Sequence, residues 1–203
     1  MRFGRLVFIA FILPLAFLSG AYLRSLENQA TESFSAQVAT GILEAPPADR
    51  PKEKEYELLF VGDIMLSRGV EYYIQKVGGG DYRYPFAKIS DELRAADLLL
   101  GNLENPISSR GKNQGSIYSF RANPKALDGL SFAGFDVLSL ANNHLWDYGA
   151  EALQDTVGFL GEWGMKGVGA GGNYAEANSL VFAELPDGTR IAFFSFTNLM
   201  PRS

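Results

Sequence analysis

Ala141-Asn142-Asn143-His144-Leu145-Trp146-Asp147-Tyr148-Gly149 is the stretch on which the fold turns, and it holds the only histidine of the chain. Directly before it, Phe135-Asp136-Val137-Leu138-Ser139-Leu140 reads as a buried strand, and from Gly149 onward the pattern is helical. The polar cluster therefore falls in a loop at a strand's carboxyl end, where open α/β sheets place their chemistry. Asn offers a neutral oxygen, His a nitrogen ligand or a transferable proton, and Asp a charged oxygen. Together these are the parts of a metal-assisted hydrolytic site.

Two earlier stretches repeat the arrangement. Tyr56-Glu57-Leu58-Leu59-Phe60-Val61 predicts a short strand running into Gly62-Asp63-Ile64-Met65-Leu66, with the glycine turning the backbone sharply so that the Asp63 carboxylate projects beyond the strand. Asp97-Leu98-Leu99-Leu100 predicts another, ending in Gly101-Asn102-Leu103-Glu104-Asn105-Pro106. If the three strands lie side by side and parallel, Asp63, Asn102, Glu104, Asn143 and His144 converge on one edge. Around them the pattern predicts a helix capped by Ser67 to about Val77 and closed by Gly78-Gly79-Gly80. Others run from Pro85 to about Ala95, from Asn123-Pro124 through Leu130, and from Gly149 to about Trp163. A short strand at Gly167-Val168 precedes a hairpin, Leu180 to Leu185 and Arg190 to Phe196, joined by Pro186-Asp187-Gly188-Thr189. Alternation followed by a hairpin specifies an α/β protein with mixed sheets.

In their order and spacing, the motifs Gly62 to Leu66, Gly101 to Pro106 and Ala141 to Gly149 resemble those of the CapA family of poly-γ-glutamate capsule biosynthesis proteins, over roughly Tyr56 to the end. The resemblance implies a branch of the calcineurin-like metallophosphoesterases, with a mixed β-sheet sandwich flanked by helices and metal ligands on loops at the strand ends. It implies Asp63 as the first metal ligand, Asn143 as the Asn that reaches the metal, and His144 as the group that contacts phosphate or protonates the leaving group. The implied cofactor is a divalent ion: manganese, zinc, iron or magnesium. Two departures weigh against it. Met65, a soft thioether, stands where the wider superfamily has a histidine, and no histidine follows His144. The chain is therefore expected to be the front half of such a domain, to bind divalent metal weakly or not at all, and to leave its last strand short of cover.

Each candidate also has a plainer role. Asp63 is a metal ligand or a helix-capping residue. Glu104 is a ligand or supports one, unless it pairs with Arg110 or Arg121. Of Asn142 and Asn143 one suits the loop backbone, and Asn143 is assigned to the metal. His144 and Asp147 are the catalytic candidates, with Asp147 orienting the histidine or capping the helix that begins near Gly149; Trp146 and Tyr148 pack. Arg121 is an anion-binding candidate, because a guanidinium grips carboxylate or phosphate bidentately, or else forms a surface ion pair. Gly169-Ala170-Gly171-Gly172-Asn173 could cradle a phosphate through its amides but lacks the Lys and Ser or Thr of a P-loop.

The first fifty residues are not globular in pattern. Arg2 and Arg5 precede thirteen apolar residues, Leu6 to Leu18, and then Ser19-Gly20-Ala21, which is the layout of a secretory signal peptide; read through Leu23 the same segment is a membrane anchor. Residues 24–55, with Pro46, Pro47 and Pro51, form a flexible linker, and 56–203 the domain. Either reading places the domain outside the cytoplasm. Without cysteine there is no disulfide, thiolate metal site or cysteine nucleophile. A net charge of −5 with interspersed signs excludes a nucleic-acid footprint. The expected role is an exported protein of poly-γ-glutamate capsule synthesis, export or anchoring, with a metallophosphoesterase-like site. The alternatives are a non-catalytic partner that grips the polymer or a synthase, and a general cell-surface phosphoesterase. Expected partners are an anionic polymer or phosphorylated substrate, the membrane and capsule synthase subunits.

Overall fold

The computed structural model describes residues 54–199; the predicted signal or anchor segment and nearly all of the linker lie outside them. Among the described residues no helix is long and apolar enough to cross a membrane. Four strands, β1 (Leu58–Ile64), β2 (Leu98–Leu103), β3 (Val137–Ser139) and β4 (Lys166–Val168), pair in sequence order, all parallel. Between them run α1 (Arg68–Lys76), α2 (Ser90–Ala95), α3 (Ala126–Ala133) and α4 (Gly149–Glu162). After β4 come a single helical turn, α5 (Tyr174–Ala177), and the antiparallel pair β5 (Val181–Glu184) and β6 (Arg190–Phe193). The expected alternation, the parallel sheet and the late hairpin are all present.

Burial follows from strand periodicity. Leu99, Leu103 and Leu138 face the helices, packing with Ile74, Phe86, Leu130 and Leu160, while Leu98 and Val137 point the other way, onto Ala183, Leu185 and Phe193 of the hairpin segment. A parallel strand buried on both faces needs this near-continuous apolar run. The layers are thus helices, parallel sheet and antiparallel pair, a mixed α/β arrangement of metallophosphoesterase type. The hairpin is itself the second sheet. The expected lack of cover is seen in Phe182 of β5 and in Phe194 and Phe196 just past β6, which are exposed.

Neither motif glycine forms the expected turn. Both lie inside strands, because the ladder continues past them: Glu104 still donates its amide to the Ile64 carbonyl at 3.0 Å. Gly101 serves close approach, since a Cβ there would lie 2.5 Å from Ile64 Cδ1. Gly62 falls where the β1–β2 register slips. Phe60 pairs with Leu100 and Asp63 with Asn102, three steps on one strand against two on the other. The extra residue is a bulge that reverses the facing of everything beyond it. Leu59 and Val61 face the helical core, and after the bulge so does Ile64. Without the bulge the Asp63 side chain would point into that core. With it, Asp63, Asn102 and Ser139 stand in register at the strands' carboxyl ends.

Other boundaries shift modestly. The helix predicted from Pro85 splits into a 3₁₀ turn, Tyr84–Phe86, and α2, anchored separately by Phe86 and Leu93. Ser67 sits at the cap of α1, but its hydroxyl donates to Met65 Sδ at 3.3 Å and caps nothing.

Candidate functional site

A row of hydrogen bonds crosses the carboxyl edge of the sheet, and its direction is set by backbone groups. The Asn142 side-chain oxygen accepts from the amides of His144 and Leu145, each at 3.0 Å, and an amide N–H can only donate. Its nitrogen must therefore be the end that donates to the Leu103 carbonyl at 2.8 Å and to Asn102 Oδ1 at 3.0 Å. That in turn commits Asn102 Nδ2, which donates to Asp63 Oδ1 at 2.8 Å and to Glu104 Oε2 at 2.6 Å. One amide thus bridges two carboxylates taken from neighbouring strands. Glu104 sits two residues beyond Asn102 on the same face, and burial raises its pKa while the Asn102 hydrogen bond works against that rise.

At the far end of the row, Asp147 Oδ2 lies 2.8 Å from His144 Nδ1 and also accepts the Phe120 amide at 2.8 Å. A carboxylate on Nδ1 fixes the proton there and leaves Nε2 as the working nitrogen, 3.9 Å from Glu104 Oε1. The Phe120 ring packs on the imidazole, centroids 4.3 Å apart. Asp147 is buried, and its carbonyl holds the Gln114 amide at 2.9 Å, so it clamps the 111–121 loop over the site as well as orienting the histidine. The helix α4 begins at Gly149 with no side-chain cap, so capping is not the Asp147 role.

The structure thus brings Asp63, Asn102, Glu104, His144 and Asp147 into one connected row and leaves Asn143 outside it. Asn143 is exposed and makes no side-chain hydrogen bond among the described residues, while Asn142 makes four. Glu104 pairs with neither arginine. Arg110 is bound to Asp155, and Arg121 donates to the Arg110 carbonyl at 2.8 Å with its guanidinium 4.2 Å over the Tyr148 ring. Arg121 lines a cleft of about 260 Å³ together with Ser108, Ser109 and Asn123. The glycine loop is filled from within: the Gly172 amide donates to the Glu176 carboxylate at 2.8 Å, and Asn173, the cap of α5, accepts the Glu176 amide at 3.0 Å while its side-chain nitrogen donates to that carboxylate at 2.6 Å.

As arranged, the row does not fit a metal ion. Among the described residues no three acids or histidines converge on a point, and the space between Asp63 and Glu104 is held by an NH2 group, which cannot ligate a cation. What the row can do is position carboxylates and move a proton at His144 Nε2.

Three residues essential to this geometry carry no catalytic, metal-binding or anion-binding assignment in the sequence. Asn105, fully buried, accepts the Leu66 amide at 2.9 Å and ties the ends of β1 and β2 together. Phe120, close after Tyr118 in a mixed loop, carries no sequence signal that sets it apart. Asn142 is indistinguishable by type from its neighbour.

Residues 57–203 match the family described as bacterial capsule synthesis protein PGA_cap. The chain belongs to that family. It is 33% identical over 158 residues to the capsule biosynthesis protein CapA of Bacillus anthracis, a match covering 76% of this chain and 37% of that one. It is 32% identical over 162 residues to the PGA biosynthesis protein CapA of Bacillus subtilis, covering 76% and 42% respectively. This PGA_cap chain therefore spans less than half the length of those CapA relatives.

Proposed function

We propose that this PGA_cap-family chain is exported and acts in synthesis, export or anchoring of a poly-γ-glutamate capsule, handling the anionic polymer at the row from Asp63 to Asp147. The observation that carries the site assignment is His144 held through Nδ1 by a buried carboxylate, with Nε2 turned toward Glu104. A positioned imidazole of this kind serves as a general acid or base. Arg121, which lines the cleft and donates through Nη1 to the Arg110 and Gly111 carbonyls, is proposed to hold a carboxylate or phosphate of the substrate with its remaining donors. The test is polymer output in a capsule-forming bacterium whose own family member is deleted and replaced by this chain. His144→Gln and Asp147→Asn should lower output at least tenfold at unchanged protein level.

A second reading, a non-catalytic partner that grips the polymer or a synthase subunit, is favoured by one observation, the Asn102 amide between the two carboxylates. In that case Arg121→Ala lowers output and His144→Gln leaves it intact. A divalent ion remains a proposal only for a row in which Asn102 has turned its oxygen inward. Export is tested on intact cells, where added protease should digest the domain beyond residue 54; digestion only after lysis would sink it.

A further inference from the structure

Arg68 is the only non-glycine residue among the described residues with a positive φ, 51°. It is the first residue of α1, just past the end of β1, the strand that carries Asp63. Left-handed backbone disfavours any side chain with a Cβ, so an arginine is held there against the local preference that glycine would satisfy. Its guanidinium lies 5.2 Å from the centre of the Phe120 ring, and that ring is the one packed on His144. Arg68 is exposed and has no carboxylate partner among the described residues.

The acids of the row, and Glu71 one turn along α1, are engaged elsewhere, Glu71 accepting from the Tyr82 hydroxyl at 2.9 Å. Asp63 and Glu104 accept from Asn102, and Asp147 accepts from His144 and the Phe120 amide. A left-handed backbone thus places a cation without a carboxylate partner against the Phe120 ring that packs on His144, next to a row rich in negative charge. An anionic group approaching His144 across Asp63 and Glu104 needs one positive charge to offset their repulsion, and a stacked guanidinium keeps its hydrogen-bonding edge free to supply it.

We propose that Arg68 receives an oxyanion at the Phe120 and His144 end of the site, apart from the group assigned to Arg121, fixing which part of a ligand lies toward His144. The shared chemistry is a carboxylate or phosphate edge. A carboxylate of a glutamate polymer as its source rests on the function proposed above; the oxyanion itself does not.

The test is titration calorimetry of the full chain with a γ-linked glutamate oligomer and, separately, with inorganic phosphate, alongside thermal melting. Arg68→Gly removes the cation and relieves the φ, so it should weaken binding at least tenfold while leaving the melting temperature unchanged or raised. Arg68→Lys, which keeps charge but loses the planar fork, should fall between. Equal oligomer binding by the wild type and Arg68→Gly overturns the proposal while leaving the polymer function standing. Phosphate binding alone, lost in Arg68→Gly, upholds Arg68 and refutes the polymer as ligand. A lower melting temperature with unchanged affinity, or no binding of either probe by the wild type, also overturns it.

Discussion

Asn142→Ala should destabilise the chain by about 3 kcal/mol, and Asn143→Ala by less than about 0.5 kcal/mol. The two residues are adjacent and identical, so composition and propensity cannot separate them. The structure can. Truncating Asn142 removes four hydrogen bonds at 2.8–3.0 Å. The Leu103 carbonyl belongs to a residue with no exposed surface, so its loss leaves a buried acceptor unmatched, worth about 1–3 kcal/mol. The remaining three are part-buried and can be partly replaced by water, at about 0.5–1 kcal/mol each before their mutual dependence is discounted. Asn143 is exposed and its side chain bonds to nothing among the described residues. Urea unfolding at neutral pH, read as midpoints at constant slope, measures both. Asn142→Asp provides a sharper check, because a second oxygen would face two acceptors, Asn102 Oδ1 and the Leu103 carbonyl. It should cost at least as much as the alanine. If Asn142→Ala lies within 0.5 kcal/mol of wild type, or if Asn143→Ala is the costlier change, the hydrogen-bond directions assigned along the row are wrong.

Gly101→Ala should cost about 1–3 kcal/mol by overpacking, since its Cβ would meet Ile64 Cδ1 at 2.5 Å, and an unchanged urea midpoint would refute that. Tyr82 donates to Glu71 at 2.9 Å, and burial, with that hydrogen bond, pushes its pKa up to about 12. A raised pKa stabilises the fold fully below the unfolded value of about 10 and loses that contribution as pH rises toward 12, so the stability gap between wild type and Tyr82→Phe should narrow over that window. A gap constant with pH would count against it. Purified chain dialysed against manganese or zinc should retain well under one ion per molecule, and near-stoichiometric metal lost on Asp63→Ala would show that Asn102 turns over to admit it.

Much of this site was legible because strands announce themselves by apolar runs and their ends by polar residues. Leu98 to Leu100 and Val137 to Leu138 needed burial on both faces, so parallel pairing followed, and parallel pairing alone sends Asp63, Asn102 and His144 to one edge. The helix from Gly149 is legible to within a residue of its observed end at Glu162, because its apolar positions keep a helical period throughout. What could not be read was anything decided by a single residue's register or backbone angle. The left-handed Arg68 leaves no mark in a sequence, and the composition of the glycine loop does not show that Glu176, four residues on, fills it.

The bulge in β1 shows how much can hang on one such detail. A period of two predicts which face a side chain takes only until an extra residue enters the strand. Counting from Leu59 and Val61, Asp63 would belong with the helical core, where an unpaired carboxylate is costly enough to unfold a marginal domain. The inserted step at Gly62 places Ile64 there instead and delivers Asp63 to Asn102. The same residue that spares the core a charge therefore completes the row, and shortening β1 by one residue at this point should damage stability and site together.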